Sequence, residues 1–497
     1  MSETLFPFQR VGAEWLSRRK TALLADEMGL GKSAQVIHAL TKIGARNALI
    51  LCPAVARVNW QREFQKFGSH LVPSIFEPAE KARLKDLEGR PSPPPGHALT
   101  LVSSYDMAVR HRTHLSKLGP WDALVLDECH FLKSKDARRT KEVYGSKGLV
   151  HEAARTWALS GTPAPNHPGE LWTIFRAFGL TDLPHLSFVN RYCETYQSVH
   201  GLHIAGARSA MAGELRSVLS QTMLRRMKEE VMSELPPIFY QDLAVEAGVV
   251  DLQIEPSFFP YIFPHDRTAE LLAKLQKEEA LLHGMGEVAG LATIPGIKGL
   301  EALAQSVSTL RRYTGIQKVK ACVELIKSEL DAKAYDKIVV FAIHRDVIEG
   351  MRRELARYGV VTLYGGTQAE KRQQNIDKFQ KDPRTRIFIG NIQACGTAVN
   401  LTAAHNVLFV EQDWVPGNNA QAAMRCHRIG QANPVTVRFA GLADSIDEAI
   451  SRALRRKTKD LREIFGSPSL SEWKNQTMSG KHLSDAPGKT EEEDVFK

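Results

Sequence analysis

Asp26-Glu27-Met28-Gly29-Leu30-Gly31-Lys32-Ser33 lies between two stretches of different character. Before it runs Thr21-Ala22-Leu23-Leu24-Ala25, an apolar run that reads as a buried strand. After it, Ala34-Gln35-Val36-Ile37-His38-Ala39-Leu40 carries apolar residues at helical spacing. Strand, glycine loop and helix, in that order, form the context of a phosphate-binding loop. Gly29, Leu30 and Gly31 would let backbone N–H groups curl around an oligophosphate, with Lys32 supplying a charge for the outer phosphates and Ser33 a hydroxyl for Mg²⁺. The following helix aims its N-terminal dipole at the same anion. The strict pattern G-x-x-x-x-G-K-[ST] asks for glycine where this chain has Asp26, so the loop alone reads equally well as an ordinary glycine turn.

Composition bounds the classes that fit. At 497 residues the chain has room for two to four domains, and 43% hydrophobic with 24% charged residues is ordinary for a globular protein. No apolar run reaches the roughly 18 residues of a membrane span. The start, Met1-Ser2-Glu3-Thr4-Leu5, has neither a basic nor an apolar leader region, so a cytoplasmic, non-secreted protein is expected. The six cysteines stand singly, with no C-x-x-C pair, which argues for a reducing compartment and against a zinc or disulfide framework. Net charge is +9, and an acidic run, Glu491-Glu492-Glu493-Asp494, makes the remainder more basic still. A polyanionic partner and a merely solvated basic surface fit that balance equally.

A second apolar run, Ala123-Leu124-Val125-Leu126, ends in Asp127-Glu128-Cys129-His130. In an open α/β sheet, ligands bind at the carboxyl ends of strands. There Asp127 could hold the Mg²⁺ shell and Glu128 could polarise an attacking water, an ionised carboxylate being acceptor only. The competing reading is a helix N-cap. Further strands are expected at Ala48–Cys52, ending in Pro53, at Leu99–Tyr105, where Ser103 and Tyr105 offer hydroxyls to phosphates, and at Ala158–Leu159, ending in Ser160-Gly161-Thr162-Pro163. Trp60, on a helix with Val58, Phe64 and Phe67, reads as core. A second α/β lobe follows, with strands at Lys337–Ala342, Val360–Leu363 (running into Gly365-Gly366), Arg386–Gly390 and Asn406–Val410. Strands alternating with helices imply a parallel sheet. This lobe has no glycine-lysine loop, so it should complete the first lobe's site. Gln421-Ala422-Ala423-Met424-Arg425-Cys426-His427-Arg428-Ile429-Gly430-Gln431 supplies the means, since Arg425 and Arg428 would share a face if helical. Two guanidiniums facing a γ-phosphate suit phosphoryl transfer; the alternative is an amphipathic surface helix.

Taken together, Asp26–Ser33, Asp127–His130, Ser160–Pro163 and Gln421–Gln431 resemble the motifs of the Swi/Snf family of helicase-like ATPases. The resemblance spans about Phe6 to Phe465 and implies an α/β protein of two RecA-like parallel-sheet lobes with helical protrusions. Residues 1–245 would be the ATP-binding lobe, with a mostly helical protrusion at about 167–238. Residues 246–314 would be a linker or second protrusion, with a helix at Thr268–Leu282, 315–465 the helicase lobe, and 466–497 a disordered tail. It also implies ATP and Mg²⁺, adenine reading by Gln9 (in isolation a helix-capping residue), and DNA contact or coupling through Pro53, Ser103, Tyr105, Ser160, Thr162, Gly365, Gly366, Gly396, Asn400 and Thr402. Ala398 stands where the family usually has a second glycine of Gly-x-Gly-Leu-Asn-Leu-Thr. The leading expectation is a monomeric translocase on duplex or forked DNA, of the compact bacterial or viral kind. A strand-separating or annealing helicase is the alternative, and a nucleotide-gated DNA clamp a third reading. Protein partners are not legible.

Overall fold

The computed structural model describes residues 4–67, 71–76, 99–198, 201–232, 234–246, 298–395, 399–442 and 445–465. The apolar runs of the N-terminal half become β1 (Thr21–Leu24), β2 (Asn47–Cys52), β4 (Leu99–Ser104), β5 (Ala123–Asp127) and β6 (Thr156–Leu159), with a short β3 (Pro73–Ile75) at the edge. Outside the sheet, β7 (Cys193–Ser198) and β8 (Gly201–Ala207) make an antiparallel hairpin, and β9 (Met223–Leu224) returns to pair with β1. The sheet is parallel throughout, in the order β3-β4-β2-β5-β6-β1-β9.

Near-continuous apolar strands are what a parallel sheet covered on both faces requires. Successive side chains point to opposite faces. Leu23, Leu49, Leu51, Leu124, Leu126 and Ala158 therefore enter one core, while Ala22, Leu24, Ile50, Val125, Trp157 and Leu159 enter the other. The second sheet repeats the scheme. It contains β10 (Ile238–Val245), β11 (Ile338–Ala342), β12 (Val360–Leu363), β13 (Ile387–Asn391), β14 (Asn406–Phe409) and β15 (Val435–Leu442), parallel and in the order β10-β15-β14-β11-β13-β12. Val339, Phe341, Phe388 and Phe409 line one of its cores; Ile338, Val340, Ile389 and Leu408 line the other.

Three sequence expectations change here. Residues 170–238 are only partly helical: helices Trp172–Ala177, His185–Tyr192 and Ala212–Ser220 are joined by the β7–β8 hairpin and β9. The sheets part company before 245, because β10 pairs with β15 along its whole length, from Ile238↔Val435 to Val245↔Leu442. Pro236-Pro237 stops the preceding segment, and the alternating exposure of Ile238–Val245 is that of a one-sided edge strand. The expected start of the second lobe near Gly315 falls inside a continuous helix, Lys298–Asp331. There the missing Cβ admits Glu411 and Val347, which would lie within 2.6 Å and 2.9 Å of one. The expected helix at 268–282, Gly396 and the tail at 466–497 lie outside the described residues. Among those described, no helix is long and apolar enough to cross a membrane.

Candidate active site

The glycine loop leaves the carboxyl end of β1, and the acid pair sits at the end of β5, with β6 between them. Gly31 adopts φ +71° and caps the helix Lys32–Lys42, leaving the first-turn N–H groups facing the loop. A Cβ on Gly31 would come 2.4 Å from Gln9 Nε2. Gln9 is buried; it donates from Nε2 to Leu30 O (3.1 Å) and accepts from Phe6 N (3.0 Å) at Oε1. It therefore holds the loop as well as bordering the cleft. Ser33 lines the same cleft. Lys32 Nζ donates back to Asp26 O (2.8 Å), and burial lowers its pKa against the pull of Glu128, Asp26 and Asp127.

Asp26, the departure from the strict loop pattern, is an anchor. It is fully buried, and Arg226 meets it as a fork, Nε to Oδ1 at 3.0 Å and Nη2 to Oδ2 at 2.5 Å. Gln35 Nε2 adds a bond to Oδ2 at 3.0 Å, and Arg226 also donates to Gln35 Oε1 (2.8 Å) and Phe8 O (2.5 Å). Loop, following helix and the Gln9 segment are thus held on one guanidinium.

Glu128 has φ +51°, in the left-handed region that non-glycine residues enter at a cost of about 1–2 kcal/mol. That twist turns its carboxylate into the cleft, where Oε2 lies 3.3 Å from His130 Nδ1 and 3.5 Å from Ser160 Oγ. His130 Nδ1 is 3.0 Å from Ser160 Oγ, which also accepts Thr162 N at 3.1 Å. Burial alone would raise Glu128, but the His130 hydrogen bond and the charges of His130, Lys32 and Arg425 hold it at about 2. Asp127 goes the other way. Burial and the adjacent Glu128 charge push it up to about 6, although Trp60 Nε1 donates to its Oδ2 at 2.9 Å. A half-buried carboxylate raised by the neighbouring Glu128 carboxylate fits a cation. Among the described residues no group of three or more His, Cys, Asp or Glu side chains gathers to hold one. A metal beside Asp127 and Ser33 would therefore complete its shell with phosphate and water oxygens, as magnesium does.

From the second lobe, Arg425 and Arg428 close a cleft of about 330 Å³ whose other walls include Lys32, Ser33, Asp127 and Glu128. The helix Pro416–Ala423 has ended by then, so the two arginines project from a turn rather than sharing a helical face. Burial, then the like charge of Arg428, lowers Arg425 to about 9; burial also lowers Arg428, with Glu128 opposing. Gln431, buried, donates from Nε2 to Thr402 O, Ala404 O and Cys426 O at 3.0–3.1 Å and so fixes the turn. Between the lobes, Gln421 Nε2 donates to Thr162 Oγ1 at 3.1 Å.

The other expected contact residues scatter. Asn400 borders the cleft and is exposed. Gly365 and Gly366 are exposed at the end of β12, with open space where a Cβ would stand. Pro53 is buried at the end of β2, and Thr402 Oγ1 accepts from Gln380 Nε2 at 3.2 Å. Ser103 and Tyr105 are turned inward and offer no hydroxyl to an outside phosphate. Ser103 is fully buried, and Tyr105 Oη donates to Asp127 O at 2.8 Å, since a hydroxyl enclosed at a strand end must satisfy itself on nearby carbonyls. Sequence reasoning missed Arg226, Lys228, Gln421 and the Trp60–Asp127 bond. Trp60 was legible as core, and only its spacing ahead of the acid pair in space, not in sequence, reveals the bond.

Two parallel-sheet lobes with a phosphate loop and acid pair on one, and arginines from the other closing the cleft, define a helicase-like ATPase. The chain belongs to the Swi/Snf family: residues 8–247 match the SNF2-related domain and residues 317–430 the helicase conserved C-terminal domain. The mouse DNA annealing helicase and endonuclease ZRANB3 is 29% identical over 473 residues, covering 92% of this chain and 40% of that protein. The Drosophila melanogaster SWI/SNF-related matrix-associated actin-dependent regulator of chromatin subfamily A-like protein 1 is 27% identical over 469 residues, covering 93% and 56%. The chain spans about half the length of these curated relatives. The solved SWI2/SNF2 ATPase core of Sulfolobus solfataricus in complex with dsDNA is 23% identical, covers 93% of this chain and 97% of its own, and gives a TM-score of 0.41.

Proposed function

We propose that this protein is a DNA-dependent ATPase that couples ATP hydrolysis to translocation along double-stranded DNA, remodelling DNA or protein–DNA complexes in repair, replication or recombination. The observation that carries the reading is the single cleft in which Lys32, Ser33, Asp127 and Glu128 face Arg425 and Arg428. Lys32 and the loop amides bind the phosphates, and Gln9 borders the adenine side. Glu128, held ionised, accepts hydrogen bonds from the attacking water. Arg425 and Arg428 meet the charge that develops on the transferred phosphoryl group. Ser33 and Asp127 would hold Mg²⁺, which when bound neutralises charge on the phosphates. Because the arginines belong to the other lobe, hydrolysis and the closing of the lobes are one event, and alternate grips on a DNA backbone turn that event into movement. Ser160 and Thr162, which link the acid pair to Gln421 of the second lobe, are the coupling residues. The protein works as a monomer in the cytoplasm.

The DNA annealing helicase among the relatives favours a second reading, in which the motor rewinds or separates strands. The test is an ATPase assay across single-stranded, duplex and forked DNA, paired with two displacement assays. Duplex should stimulate turnover, and a triplex-forming third strand ahead of the motor should be displaced while a tailed duplex stays paired. Efficient unwinding of the tailed duplex with an intact triplex overturns the translocase reading in favour of the helicase. DNA-independent turnover removes the motor reading itself.

A further inference from the structure

Lys228 belongs to the first lobe, four residues beyond β9, yet its side chain ends in the second. It is 3% exposed, and its Nζ donates to His427 O at 2.6 Å, with Met424 Sδ at 3.0 Å and His427 Nδ1 at 3.3 Å. These acceptors sit on the residues immediately before Arg425 and Arg428 in sequence. The root of Lys228 is fixed to the glycine loop: its backbone N donates to Glu27 Oε2 at 2.8 Å, its Nζ lies 3.7 Å from Glu27 Oε1, and Glu27 N donates to Arg226 O at 2.9 Å. His427 Nε2 meets Pro236 O at 2.7 Å, a second tie from the arginine turn to the segment after Lys228. Around the ammonium, Met28 of the loop packs against Ala420 and Met424. Gly29, at φ +92°, is a point of close approach: a Cβ there would stand 3.1 Å from Arg428 Cγ and 3.4 Å from Lys228 Cε.

We propose that Lys228 is an interlobe strut, a positioning residue that sets the arginine turn against the nucleotide loop before any nucleotide arrives. A buried ammonium needs acceptors, and here they are a carboxylate on the loop side and a backbone carbonyl on the arginine side. The strut therefore measures the distance between the two halves of the site. Burial lowers Lys228 to about 8, and the Glu27 carboxylate keeps it charged at neutral pH. The role rests on the ATPase reading above, since it is the arginines' action on phosphoryl transfer that the strut serves. Displacing catalytic groups by about 1 Å can cost about 10²-fold in rate.

The experiment compares wild type with Lys228→Met, whose unbranched chain fills the same space. It measures steady-state ATPase with duplex DNA and amide hydrogen exchange without nucleotide. With the strut removed, kcat should fall about 10²-fold while KM for ATP stays within about threefold. Exchange should quicken at residues 424–430 and not in β11 or β13. Wild-type kcat in Lys228→Met overturns the proposal. So does parallel loss of kcat and ATP binding with faster exchange throughout both sheets, which is the mark of a merely structural lysine. If wild type itself has no ATPase activity, the functional reading has failed, and the local exchange difference alone decides the strut. Should Lys228→Met not fold, Glu27→Gln, which keeps an acceptor for Lys228 N but removes the charge, is judged by the same criteria.

Discussion

Asp26 and Asp127 show how differently two carboxylates can be used within one site. Asp26 is spent on architecture: its fork with Arg226 and its bond from Gln35 leave it nothing for a ligand. Restoring the strict loop pattern with Asp26→Gly should therefore damage the protein, because a largely buried guanidinium loses its partner. The expected loss is about 3–5 kcal/mol by urea denaturation; a variant as stable as wild type would show that Arg226 is held by its other bonds. Asp127 is the opposite case, an acid whose ionised form is destabilised by burial and by the neighbouring Glu128 carboxylate. Its folded pKa, about 6, lies above the ordinary aspartate value of 3.8, so its ionisation costs folding free energy. The cost is absent below about pH 4, grows between 4 and 6, and is complete at pH 7. The lowered Glu128 has the other sign: its contribution is present above its unfolded value of 4.5 and is lost as pH falls from there toward 2, mostly below that window. Asp127→Asn, free of nucleotide and magnesium, should gain about 2–3 kcal/mol at pH 7 and almost nothing at pH 4, while losing ATPase activity. Equal gains at both pH values would mean that packing, not charge, had changed.

At the scale of elements, the contiguous signals were legible and the assembled ones were not. Five first-lobe strands and four second-lobe strands could be read as apolar runs because all but the edge strand β12 are buried on both faces. β9 has two residues, too few for any pattern, and β10 and β15 interleave polar positions such as Gln241, Asp242, Thr436 and Arg438 because they lie at or next to an edge. The loop, the acid pair and the arginines stood out because each is a local motif. Their mutual supports did not, since the Lys228–His427 contact spans 199 residues and Gln421–Thr162 spans 259. The turn after the helix Pro416–Ala423 shows the consequence. A helix there would put both arginines on one face; instead Gln431 holds the turn open by gathering three carbonyls, one of them on Cys426, between the two arginines. Gln431→Leu keeps the volume and orphans those carbonyls. It should cost about 3 kcal/mol and lower kcat more than it raises KM for ATP, because the arginines lose their seat while the loop is untouched. Thermal denaturation together with steady-state kinetics checks both halves, and an unchanged kcat would mean the turn is held by its backbone alone.

Across the whole molecule, the charges sort by location. The largest buried ones are paired: Asp26 with Arg226, Glu27 with Lys228, and Lys318 with Asp447 at 2.7 Å. Such pairs leave little net charge inside, so the excess behind the +9 total lies on the outer surface, where a polyanion can reach it. The two ligands of the proposed motor should then respond differently to salt. Contacts to a DNA backbone release counterions, and about 6–10 neutralised phosphates weaken binding by roughly 10³–10⁵ between 50 and 200 mM salt. The charged groups that face each other across the nucleotide cleft are mostly half-buried, where screening is weaker than on the open surface. The duplex concentration giving half-maximal ATPase stimulation should therefore rise at least about 100-fold over that range. At saturating duplex, KM for ATP should move by less than about threefold. A DNA dependence as flat as the ATP dependence would mean that recognition is not carried by the basic surface, and the backbone-gripping step of the proposed mechanism would lose its physical basis.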